Sequence, residues 1–176
     1  MEMCEFTGKN EAANWYVAAT LPRHEKRSAE NLKLRGIECF LPISAVPRRW
    51  KNRAPVVLDL PLFPGYIFIN SNHAKRFKAL EVPGIRAFVM GIGKKPVTLP
   101  ESEIEALRAG LNERPAESCK PFESGQRVRI ARGPFAGLSG AVQMQGDRLT
   151  VIFMMAPIGQ SVALDVKEEE LEQVAL

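Results

Sequence analysis

Few side chains among these 176 residues have the type and spacing for covalent or metal chemistry. His24 and His73 stand far apart, and neither has a second ligand at metal-binding spacing. Cys4, Cys39 and Cys119 are odd in number, widely separated and without a CxxC pair. That usage predicts a reducing, cytoplasmic setting and argues against a zinc site or a disulfide framework. Gly91-Ile92-Gly93-Lys94-Lys95 looks like a phosphate loop, but it lacks the GxxxxGKS/T spacing and leads into Pro96 rather than a helix. It reads as a turn. Met154-Met155 suits the cap of a small core better than a cofactor box. No nucleophile–base pair and no paired carboxylate motif can be read. The sequence therefore predicts a protein that is not an enzyme, with no metal and no cofactor.

What remains is recognition of charge and of apolar surface. The formal net charge is +4, and it is unevenly spread. Residues 22–53 hold nine basic and three acidic side chains, while residues 114–176 hold seven and eight. A local excess of this kind points to an anionic neighbour, most often nucleic acid, although basic faces are also common on proteins that bind none. The apolar counterpart is Leu60 to Asn70, Leu-Pro-Leu-Phe-Pro-Gly-Tyr-Ile-Phe-Ile-Asn. Tyr66 to Ile69 has strand composition, entered through the Pro64-Gly65 turn. On a strand Tyr66 and Phe68 share one face, Ile67 and Ile69 the other. Two readings stand: a fully buried central strand, or a strand whose aromatic face is left open for a partner.

The elements that would position these residues follow from pattern. Trp15 to Thr20 reads as a strand stopped by Pro22. His24 to Arg35 reads as an amphipathic helix with a basic outer face, its apolar positions Ala29, Leu32 and, less centrally, Leu34, ending at Gly36. Ile37 to Ile43 is a second strand, and 46–55 the tip of a hairpin that returns through Val56 to Leu60. A short helix over 73–81, a strand over 85–90, an extended piece at 96–99 and a helix from Pro100 with Ile104, Leu107 and Leu111 inward complete the first unit. The order β-α-β-β-α-β-α predicts an α+β sandwich with an antiparallel sheet over 14–113. Residues 1–13 read as a disordered leader and 114–121 as a linker. Over 122–176, short strands at 126–130, 140–144, 149–153 and 161–166, with Gly146-Asp147 as a hairpin turn, predict a small open β-barrel. No stretch has the roughly 20 apolar residues that a membrane helix needs.

Two stretches resemble a known family. Trp15-Tyr16-Val17 with Leu62-Phe-Pro-Gly-Tyr-Ile-Phe-Ile69 is similar to the N-terminal (NGN) domain of NusG-type transcription elongation factors. Val128-Arg-Ile-Ala-Arg-Gly-Pro-Phe-Ala-Gly-Leu-Ser-Gly-Ala-Val142 is similar to the KOW motif opening their C-terminal SH3-like barrel. Pro22-Arg-His-Glu-Lys-Arg27 with Phe40-Leu-Pro42 resembles the UpxY and RfaH type, specialised antiterminators of polysaccharide operons.

The resemblance implies a monomeric factor that bridges RNA polymerase, holding the β′ clamp helices and touching the β subunit, and so reduces pausing or termination. It implies a clamp contact at Phe63, with Phe68 and Phe88 beside it and Tyr66 in the same motif. Lys75, Arg76 and Lys78 would stand near the second contact, and Arg23, His24, Lys26 and Arg27 near exposed non-template DNA. Phe135, Met155 and Ile158 would mark a partner face of the barrel. Where general NusG proteins carry Ile-Phe-Gly-Arg, this chain has Met155-Ala-Pro-Ile158, which weakens the implied contacts with Rho and with ribosomal protein NusE. A KOW-type RNA- or ribosome-binding protein is the alternative reading. Glycines at 133, 137, 140, 146 and 159, with Pro134 and Pro157, argue against a helical form of the barrel segment. The expectation is then a β-barrel independent of the first domain, with the Phe63 face open.

Overall fold

Strand β1 (Asn14–Thr20) is the axis of the first domain. It pairs antiparallel with β5 (Tyr66–Ser71) on one side, and on the other with β6 (Ile85–Phe88) and β7 (Thr98–Leu99). With β2 (Cys39–Phe40) outside β5, the sheet runs β2-β5-β1-β6. This computed structural model describes residues 13–48, 56–72, 76–114, 116–119, 125, 127–145 and 148–173. The expected leader, all but residue 13, and most of the hairpin tip at 49–55 lie outside the described residues.

The central strand is buried on both faces, as an apolar run at such a position requires. Ile67 and Ile69 pack with Tyr16, Ala18, Ala29 and Leu32, the last two from α1 (Glu25–Leu34). That cluster also takes Ala79 of α2 (Arg76–Leu80). The other face presents Trp15, Val17, Phe63 and Phe68, covered by Ile104 and Leu107 of α3 (Glu101–Glu113). Leu34, the weakest of the three apolar positions read on α1, is 84 % exposed and takes no part. The chain leaves the sheet as a two-stranded ribbon, β3 (Ile43–Arg48) against β4 (Val56–Pro61).

From Ala116 on, no α-helix occurs among the described residues. Strands β8 (Ala116–Cys119), β9 (Arg127–Ile130), β10 (Ser139–Gln145), β11 (Arg148–Met155), β12 (Gln160–Asp165) and β13 (Leu171–Gln173) form one antiparallel sheet in the order β13-β9-β10-β11-β12-β8. Gln145 pairs directly with Arg148, and the turn read at Gly146-Asp147 lies outside the described residues. The segment read as a helical turn at 167–172 is a 3₁₀ turn running into β13.

Two expectations fail here. Residues 116–119 belong to the segment read as a linker, yet they form a strand that joins β12 along four residue pairs. Nor does the barrel stand apart. Its core residues and the Phe63 face of the first domain form one continuous apolar cluster. A linker strand is invisible to pattern reading when its sequence, Ala-Glu-Ser-Cys, is short and polar.

Candidate protein and nucleic-acid interface

Leu62 to Gly65 enters β5 through a fixed bend. The Gly65 N–H donates to Glu25 Oε1 at 2.8 Å, and the Thr20 N–H donates to the Gly65 carbonyl at 2.8 Å. Gly65 has φ of 85°, a conformation that needs glycine. The bend thus ties the start of α1 to the end of β1 and fixes where Phe63 points. Phe63 meets Phe68 edge-on with centroids 5.7 Å apart, and Phe40 stacks on Phe68 at 6.2 Å. Arg108 of α3 lies over both Trp15 and Phe40, 5.5 and 5.2 Å from their ring centroids. Tyr66 is half-buried against the same cluster.

Phe63 itself is 1 % exposed, which contradicts the reading of an open aromatic anchor. It lies in the apolar cluster that α3 and the docked barrel share. Phe135 of the KOW loop is buried over α3, where a Cβ built on Gly110 would collide with its ring. Gln160 Nε2 donates to the Pro64 carbonyl at 3.0 Å. Ser44 Oγ donates to the Ala116 carbonyl. Arg114, just after α3, makes a bidentate pair with Glu170, both N···O distances 2.8 Å, and also reaches the Asp165 carbonyl. The Lys167 N–H donates to the same carboxylate at 2.9 Å. Its hydrogen bond with Arg114 lowers the Glu170 pKa and raises that of Arg114. One buried aromatic ring and one bidentate charged pair contribute about 1.5–3 kcal/mol each.

Phe88 is the second correction. Its register partner is Ala18, so it lies on the α1 face, packed on Tyr16 with centroids 5.5 Å apart. The sheet separates it from Phe63 and Phe68. Local pattern carries no signal for this, because the β1–β6 register is a long-range choice.

The basic residues fall into two groups. Arg23, His24, Lys26 and Arg27 are exposed around the first turn of α1, next to the Pro64-Gly65 bend. Arg23 adopts φ of 63°, and His24 Nδ1 is 3.0 Å from the Pro22 carbonyl. Arg76 and Lys78 lie on α2, with the Arg76 guanidinium 5.0 Å from the Phe77 ring centre; Lys75 is outside the described residues. Phe77, 56 % exposed, was not singled out from the sequence, although an aromatic among three cations was the available sign. In the barrel, Phe135 and Met155 are buried and Ile158 is half-buried against the shared cluster. All three therefore face inward in this closed form.

An NGN-like sandwich followed by a KOW-type barrel defines the class of two-domain transcription factors. Residues 13–108 match the family described as NusG, transcription termination factor nusG. The Campylobacter jejuni transcription termination/antitermination protein NusG is 30 % identical over 91 % of this chain and 97 % of its own. The Thermus thermophilus NusG is 29 % identical over 86 % and 94 %. The solved structure "Domain interaction in Thermotoga maritima NusG" superposes with a TM-score of 0.58 at 24 % identity, covering 93 % of this chain and 98 % of that one. The chain belongs to the NusG family and is a NusG-like transcription termination/antitermination factor.

Proposed function

We propose that the chain binds RNA polymerase through the aromatic face built by Phe63, Tyr66 and Phe68, gripping the β′ clamp helices once the barrel has moved away. Family membership supports the reading. The observation that carries it is the arrangement of the bend: Glu25 binds Gly65, so the basic first turn of α1 is fixed beside the aromatic face. A protein-binding surface and a nucleic-acid-binding surface then lie side by side, as a factor seated on the clamp beside exposed non-template DNA requires. Arg23, His24, Lys26 and Arg27 take the DNA, and Lys75, Arg76 and Lys78 lie towards the β subunit. The factor favours the closed clamp and so reduces pausing or termination. Its role is operon-specific, of the UpxY and RfaH type, on the sequence likeness at 22–27. Phe135, Met155 and Ile158 become available to a ribosomal partner such as NusE only after release. Among the described residues no helix is long and apolar enough to cross a membrane.

The test is binding of a β′ clamp-helix fragment to the wild-type chain, to Gly110→Ala, and to Gly110→Ala with Tyr66→Glu. The opened variant should bind more tightly than wild type, and the added Tyr66→Glu should abolish the gain. Recovery of ribosomal RNA with no polymerase subunit would favour the ribosome-binding alternative instead.

A further inference from the structure

We infer that β8 is a stored length of the interdomain tether, and that its release from β12 decides how far the barrel can travel. Helix α3 ends at Glu113 and β8 begins at Ala116. While β8 stays paired, only residues 114 and 115 join the domains, and the ordered ends are at most about 10 Å apart. The barrel can then pivot about the end of α3 but cannot travel away from it. If β8 unpairs, the tether becomes the thirteen residues 114–126, from the end of α3 to the start of β9. Its reach rises to about 45–50 Å.

The strand is suited to leaving. Among the described residues it lies at the edge of its sheet, held by the four pairs from Ala116–Leu164 to Cys119–Ser161. Of the residues it adds to the apolar cluster, Ala116 is the only one among the described side chains. Its start is also pinned by the interface itself, because the Ala116 carbonyl accepts from Ser44 of the first domain. Undocking the barrel removes that bond and the Arg114–Glu170 pair beside it, so the domain interface and the strand support one another. The inference depends on the proposed polymerase reading only for its use, not for its occurrence.

An engineered disulfide tests it. Ser161 stands directly across the ladder from Cys119, at a separation a disulfide can close. Its buried hydroxyl has no hydrogen-bond partner among the described residues. The chain carries Ser161→Cys and Gly110→Ala, with Cys4→Ser and Cys39→Ser so that no other thiol competes. Small-angle X-ray scattering is recorded oxidised and reduced. Reduced, the maximum dimension should lengthen by a few tens of ångströms over wild type; oxidised, it should stay at the wild-type value, and reductant should restore the expansion. Equal expansion in both states overturns the inference. So does a reduced chain that stays compact even when Arg114→Glu is added. Failure to bind polymerase while the redox-dependent expansion persists would count against the proposed function alone.

Discussion

Phe135 of the barrel is seated over Gly110 of α3, in space that any side chain on the helix would fill. Glycine inside a helix costs about 1 kcal/mol relative to alanine, so the position gives up local stability for an interdomain fit. The same contact makes a controlled way to open the molecule.

Gly110→Ala should raise the intrinsic stability of α3 by up to about 1 kcal/mol while expelling Phe135. Amide shifts in the Phe135 loop should move towards those of an isolated barrel, with the first domain's melt unchanged or higher. Unmoved shifts would show that the ring accommodates the methyl group.

Glu170→Gln should weaken the closed form by about 1–2 kcal/mol, the discount reflecting an Arg114 side chain that is 26 % exposed. Hydrogen exchange at the interdomain contacts should speed up by roughly tenfold or more. An unchanged rate would mean that the apolar contacts alone hold the domains together.

Closure should also depend on pH. In the closed form Arg114, with the Lys167 N–H, holds the Glu170 carboxyl below its ordinary range. In the open form Arg114 is lost while the Lys167 N–H stays within the barrel, so that carboxyl rises towards the usual glutamate range. The contribution to closure is thus complete above about pH 5 and fades as pH falls through the ordinary range towards the lowered value. Scattering at pH 7 and near pH 4 should show the opening, and Glu170→Gln should flatten the dependence.

Phe63→Ala should cost about 3–5 kcal/mol, since the ring is buried with Phe68 on one side and the shared cluster around it. A thermal melt should show the loss. A melt within a degree or two of wild type would mean that Phe63 is held only by the docked barrel and is an interface residue in the open chain.

Reversing charge at Arg23, Lys26 and Arg27 should weaken binding to single-stranded DNA in an elongation complex. Each lost phosphate contact should reduce the log–log salt slope by ~0.7. An unchanged slope would leave these residues as a solvated helix face.

The sequence alone determined the parts that depend on local patterning. Alternation of Tyr66, Ile67, Phe68 and Ile69 set their two faces, the spacing of Ala29 and Leu32 set the buried side of α1, and the glycines and prolines after residue 126 made the second unit β rather than helical. Tertiary structure decided how those pieces meet. Whether the barrel docks on the first domain depends on a ring from residue 135 fitting over residue 110, and on Glu170 reaching Arg114 across 56 positions. Phe88 changed face through the pairing of β6 with β1. The strand in the expected linker exists because β12 offers an edge, not because Ala-Glu-Ser-Cys prefers to be extended. Local propensity acts over a few residues, whereas these contacts join segments whose sequences carry no record of one another.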